Sequence, residues 1–226
     1  MRVSVVMPVF NEEKTVETII GRVLRAPGVF ELVVVDDAST DSTSAALGRV
    51  SDPRVRAFRH DRNQGKGAAL RTAFGKVQGD LVIIQDADLE YDPSDYARLL
   101  APIEAGLADV VYGSRFSGET HRVLFFWHYV GNRLLTTLSN MFTNLNLTDM
   151  ETCYKACRVE VVRSLSFRSN RFGIEPEITA KIARHGFRVY ETSISYHGRD
   201  YAAGKKITWR DGFRALVAIV YYHFFD

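Results

Sequence analysis

Residues 3–37 read VSVVMPVFNEEKTVETIIGRVLRAPGVFELVVVDD, and this stretch decides the fold. Two runs dense in β-branched residues, 3–9 and 31–35, flank a segment in which Val16, Ile19, Ile20, Val23 and Leu24 recur at helical spacing. Asn11 stands where a helix N-cap would, and Pro27-Gly28 stops the pattern. Strand, helix, strand in that order is a βαβ unit, whose parallel strands need cover on both faces. Further strands are expected at 55–58, 81–85 and 110–113, with crossover helices at 65–77 and 93–105. The class is therefore α/β, a mostly parallel sheet flanked by helices. Ligands in such sheets bind beyond the carboxyl ends of the strands.

The second half changes character. Between 123 and 145, Val123, Val130, Leu134, Leu138, Met141 and Leu145 keep a helical period, and Leu124, Phe125 and Tyr129 widen the stripe beyond what one core face needs. A helix at 175–185 and a strand at 187–196 follow. The last helix, from Thr208, puts Trp209, Phe213, Leu216, Val217, Val220 and Phe224 on one face. No linker or internal repeat divides the 226 residues, so one domain is expected over 1–226.

Composition narrows the function classes. Lys plus Arg (29) nearly balance Asp plus Glu (27), so no general positive field draws the chain to nucleic acid. Two cysteines, Cys153 and Cys157, neither staple a secreted scaffold nor supply a zinc site, and read as small hydrophobes in a reducing, cytoplasmic setting. The start is too soon interrupted for a signal peptide's apolar core. The longest apolar run, 215–225, is about half of the ~20 residues that span a bilayer, and it carries His223.

The strand ends carry the chemistry. After the second strand come Asp36-Asp37-Ala38-Ser39-Thr40-Asp41, acceptors placed to bind a sugar hydroxyl or a base N–H, or ordinary turn caps. The fourth strand runs into Asp86-Ala87-Asp88, two carboxylates that can jointly hold a hard divalent cation bridging phosphate oxygens. Between them, Gly65-Lys66-Gly67 at a helix start lets backbone N–H groups approach an anion, with Lys66 as a point charge. The P-loop spacing is missing and no GxGxxG follows the first strand, which speaks against a hydride-transferring enzyme.

In order, Pro8-Val9-Phe10-Asn11-Glu12, Val35 to Asp41, Asn63 to Gly67, Asp86-Ala87-Asp88 and Gly113-Ser114-Arg115 resemble family 2 glycosyltransferases of the Rossmann-like GT-A fold. The resemblance is strongest to the polyprenyl-phosphate sugar transferases, the dolichyl-phosphate mannose synthase-like branch. It implies that residues 1–118 bind a nucleotide diphosphate sugar and residues 119–226 bind the acceptor through amphipathic helices. Pro8, Asn11, Glu12, Asp36 and Asp37 would hold the donor's nucleoside end, with Lys66, Gly67 and Ala87 beside the diphosphate. Asp86 and Asp88, with Glu90 as a candidate third ligand, would hold Mg2+ or Mn2+; Glu90 stands where relatives often carry Gln. Arg115, Arg133, Arg199 and Lys205 are the cations expected around the phosphates. Processive synthesis is disfavoured, because no Gln-x-x-Arg-Trp pattern follows.

The implied reaction moves a hexose with inversion from GDP-mannose or UDP-glucose to a polyprenyl phosphate. A phosphate monoester, with a second pKa of about 6, arrives ionised and needs no general base. A hydroxyl acceptor would need one, with Asp149 as the candidate; a protein that binds the nucleotide sugar without turnover is the remaining alternative. A lipid acceptor implies contact with the cytoplasmic membrane surface through residues 124–145 and 209–225, the latter also able to pack in a homodimer.

Overall fold

Valine, leucine and isoleucine runs that lose all contact with water set the architecture. The computed structural model describes residues 1–118, 125–198 and 209–225. Seven strands, β1 (Val3–Val9), β2 (Val29–Asp36), β3 (Val55–Arg59), β4 (Leu81–Ile84), β5 (Val110–Ser114), β6 (Lys155–Arg158) and β7 (Val189–Ser193), form one sheet in the order β3-β2-β1-β4-β6-β5-β7. The helices are α1 (Val16–Arg25), α2 (Thr43–Gly48), α3 (Lys66–Phe74), α4 (Tyr96–Glu104), α5 (Phe126–Thr143), α6 (Val159–Ser164), α7 (Ile174–Arg184) and α8 (Trp209–Phe224). Strand β1 pairs in parallel with β2 on one side and β4 on the other. The chain thus winds outward from β1 to β3 and then resumes on the far side of β1. A cleft opens at such a reversal, beyond the carboxyl ends of β1 and β4.

Strand β6 breaks the parallel rule. It runs antiparallel to both neighbours, with Ile83 opposite Ala156 and Tyr112 opposite Lys155. Its entry end therefore meets the exit ends of β4 and β5, and the 147–154 loop opens onto the cleft. Four residues without alternation gave no strand signal; pairing on both edges supplies what local propensity lacks. The short α6 is equally silent.

Three expected boundaries shift for physical reasons. Asn11 is not a helix cap: α1 begins at Val16, and Asn11 adopts φ 53° while its side-chain oxygen accepts from Thr40 N at 2.8 Å. The 93–105 helix starts as a 3-10 turn, Pro93–Asp95, capped by Asp92. The last strand stops at Ser193, and Tyr196 beyond it makes an isolated bridge with Tyr91.

The core surrounds the sheet, with Met7, Leu32, Leu70, Ile83, Leu99 and Met150 fully buried. Buried tyrosines need partners for their hydroxyls. Those of Tyr96 and Tyr154 both donate to Gln85 Oε1 at 2.7 Å, so the residue following β4 is fixed from two sides. The glycines before α3 serve packing: a β-carbon at Gly65 or Gly67 would fall on the backbone of Asn170 or Ser169, and Gly65 holds φ 101°. Gly67→Ala is expected to lower stability by about 1–3 kcal/mol, the usual cost of overpacking against backbone. Denaturant unfolding should show a lower midpoint at unchanged slope.

Candidate active site

The cleft is assembled from the ends of β1, β2, β4, β5 and the entry of β6. Asp36 and Asp37 close β2, but they do different things. Asp37 accepts from the backbone N–H of Gln64 and of Gly65 (2.6 Å to the latter) and pairs with His60 at 2.7 Å, so its carboxylate ties down the turn before α3. Asp36 accepts from Ser39 N at 2.9 Å through Oδ1, while the buried Oδ2 has no hydrogen-bond partner and lies 3.6 Å from Arg59. Of the pair, Asp36 keeps acceptor capacity. Pro8 lies within β1, and Phe10 beyond it is exposed. Glu12 accepts from Thr15 Oγ1, which also reaches Ala87 O at 2.9 Å, joining the start of α1 to the turn after β4.

That turn carries Asp86 and Asp88. Asp86 Oδ1 lies 2.9 Å from Lys66 Nζ, and Lys66 lies 3.0 Å from Glu175 Oε1 at the start of α7. Burial works against the charge of Lys66, but the carboxylates of Asp86 and Glu175 outweigh it and hold its pKa well above the ordinary lysine value. Burial likewise works against charge on Asp86; the ammonium overcomes this and keeps its pKa low. Asp88 accepts from Glu90 N at 3.1 Å. Glu90 is turned away, its Oε2 accepting from Tyr196 at 2.8 Å. Among the described residues no three His, Cys, Asp or Glu side chains gather as a metal site. Two carboxylates at a strand tip suit Mg2+ or Mn2+ when phosphate oxygens and water complete the shell.

On the β5 side, Asp149 is fully buried and accepts from Arg115 three times: from N at 3.1 Å, Nε at 2.6 Å and Nη2 at 2.8 Å. Asn132 on α5 adds a fourth bond at 3.2 Å. Glu191 on β7 holds the same loop through Thr148 N and Asp149 N. The Arg115 guanidinium lies 5.2 Å from the ring centre of Tyr196. A bidentate pair of this kind fixes a cation's direction as well as its charge. Arg133 is exposed on α5, one residue past Asn132. Arg199 and Lys205 lie outside the described residues.

Sequence reasoning missed Glu151, Lys155 and Glu175 as cleft residues. Glu151 leads into β6, and burial together with the nearby Glu175 charge pushes its carboxyl up to about 8. Lys155, opposite Tyr112, has its ammonium 4.9 Å from that tyrosine's ring centre, and burial pulls its pKa down. Glu151 and Lys155 carry no spacing signal because the reversed β6 brings them there, and Glu175 reaches Lys66 from the start of α7, over 100 positions away in the chain. Cys153 and Cys157 are free and buried, and burial raises both thiols, so they pack as expected of small hydrophobes.

A mostly parallel sheet that reverses its winding at a cleft, with paired carboxylates at the tips of β2 and β4, is the arrangement expected of the GT-A fold. Residues 4–166 match the model of glycosyl transferase family 2, and the chain belongs to that family of enzymes. It is 30% identical over 214 residues to the polyprenol monophosphomannose synthase of Mycolicibacterium smegmatis, covering 90% of this chain and 80% of that protein. It is also 30% identical over 220 residues to the undecaprenyl-phosphate mannosyltransferase of Micrococcus luteus, covering 91% and 87%. Among solved structures, the glucosyl-3-phosphoglycerate synthase of Mycobacterium tuberculosis in complex with UDP superposes with a TM-score of 0.77 at 20% identity, covering 98% and 80%, a likeness of fold.

The Glu151 carboxyl gives a pH signature. Its pKa rises from 4.5 to about 8 on folding, so in that window the folded chain keeps a proton that the unfolded chain releases. Its contribution is present at low pH and is lost as pH rises through the window. The wild-type chain should lose stability relative to Glu151→Gln between about pH 5 and 8 in denaturant titrations. Parallel pH profiles would contradict this.

Proposed function

We propose that this enzyme transfers a hexose, with inversion, from a nucleotide diphosphate sugar such as GDP-mannose or UDP-glucose to a polyprenyl phosphate. The observation that carries the acceptor assignment is the commitment of Asp149 to Arg115. A carboxylate whose oxygens are engaged three times by one arginine serves to aim that cation, and a cation so aimed is suited to an anion. An ionised phosphate needs no base, so a cation on the acceptor side is what the chemistry requires. The printed names of the Mycolicibacterium and Micrococcus relatives, both enzymes of polyprenyl phosphates, support the same reading.

On the donor side, Asp36 would bind the nucleoside, with the Asn11 turn beside it. Asp86 and Asp88 would hold a divalent cation; a manganese complex with UDP-glucose in the Mycobacterium structure supports the general arrangement. When bound, such an ion stabilises the charge of the departing diphosphate. The chain's own residues do the positioning. Gln85, held by Tyr96 and Tyr154, fixes the carboxylate turn, and Arg115 with the basic residues after β7 would orient the attacking phosphate.

A lipid acceptor requires an interface. No helix among the described residues is long and apolar enough to cross a membrane. Instead α5 and α8 expose large apolar groups: Phe126, Trp127, Leu134 and Met141 on α5, Phe213, Val217, Phe224 and Phe225 at α8. Exposure of this extent suits helices lying in the headgroup plane at the cytoplasmic face.

Three measurements test the reading. With labelled GDP-mannose or UDP-glucose and a polyprenyl phosphate, Asp86→Ala should lower transfer by about 10²-fold or more, the scale of losing one charge-stabilising group. Asp149→Asn should lower kcat without shifting the acidic limb of the pH–rate profile; loss of that limb would instead mark Asp149 as a base for a hydroxyl acceptor. Trp127→Ser combined with Phe126→Ser should reduce co-flotation with phosphatidylglycerol vesicles while leaving nucleotide binding intact.

A further inference from the structure

Lys66 joins two carboxylates that are distant in the chain. Its ammonium lies 2.9 Å from Asp86 Oδ1 and 3.0 Å from Glu175 Oε1. The group faces the cleft, since the side chains of Lys66 and Asp86 remain 16% and 25% exposed. Glu175 is the second residue of α7, where the helix dipole favours a negative charge, and its Oε2 has no hydrogen-bond partner. Glu175 thus has acceptor capacity left over, and Lys66 has a second carboxylate to rest on when Asp86 is otherwise engaged.

Resting on the donor-site reading above, we infer that Lys66 is the resident counter-ion of Asp86, that a divalent cation must displace it, and that Glu175 retains the displaced ammonium. An ammonium and a divalent ion on one carboxylate repel each other across a few ångströms of partly dehydrated space. Displacement therefore costs the ion part of what Asp86 offers. A diphosphate arriving with the ion supplies the missing negative charge, so ion and nucleotide enter together and the bare ion binds weakly. Until then Asp86 carries no uncompensated charge. Glu175 acts here as a positioning residue: it gives the ammonium a place to go and keeps it near the phosphates.

Calorimetric titration of the full chain with MnCl2, alone and with UDP or GDP, tests this without reference to turnover. Lys66→Met should bind Mn2+ alone roughly tenfold or more tightly than wild type, the effect of removing one close like charge. Lys66→Arg, which keeps the charge, should not. Glu175→Gln should weaken Mn2+ binding several-fold, because Lys66 is then left to Asp86 alone. Thermal unfolding checks each fold, and Lys66→Gln replaces the Met variant should that one fail to fold. Unchanged or weaker Mn2+ binding without the lysine charge overturns the displacement while leaving the donor site standing. Tighter binding in Glu175→Gln overturns the role of Glu175. If wild type and Lys66→Met both ignore Mn2+ even with UDP or GDP present, the donor-site reading falls and the displacement with it.

Discussion

Carboxylates crowded at one edge of a sheet repel one another unless each is answered by a donor, and the cleft is organised around meeting that condition. Asp37 is answered by two backbone N–H groups and His60, Asp86 by Lys66, Asp149 by Arg115 and Asn132, and Glu191 by the N–H groups of Thr148 and Asp149. Glu177 on α7 takes the N–H groups of Arg168 and Ser169, fixing the segment on which Gly65 and Gly67 pack. Each answered acid becomes a strut. Among the described residues Asp36, Glu151 and Glu175, each with one buried oxygen lacking a hydrogen-bond partner, are the exceptions.

The N-terminal half was legible in the sequence because its signals are local. A β-branched run followed at once by Asp-Asp or Asp-Ala-Asp announces both the strand and what its tip presents, and β1, β2 and β4 appear where Val, Ile and Leu cluster. The roles within those pairs were not legible. Nothing in Asp36-Asp37 says that the second residue is consumed by the Gln64-Gly65 turn, which depends on a contact 27 residues away. Nor does the sequence show that Glu90, placed just after Asp88, accepts from Tyr196, over 100 positions downstream.

The C-terminal half was less legible for a different reason. Strand β6 is made by its neighbours, and its residues reach the cleft through reversal of direction, a property that no window of sequence contains. The helices there were found by period, but the period reports a stripe and not what covers it. On α5 only Thr136 and Ser139 are buried, so the aromatic stripe largely faces outward. An apolar face directed away from the protein, beside a cation-lined cleft, suits an acceptor with a charged head and a hydrocarbon tail.

The seating of β6 between β4 and β5 also bears on ancestry and engineering. A chain cut near residue 120 would part the sheet: one fragment keeps β5 with neither partner, and the other carries β6 and β7, the two strands that flank it. Exchange of acceptor preference between relatives must therefore proceed by altering side chains and loops in place, since swapping the C-terminal half wholesale would transplant an interior strand into a foreign hydrogen-bond ladder.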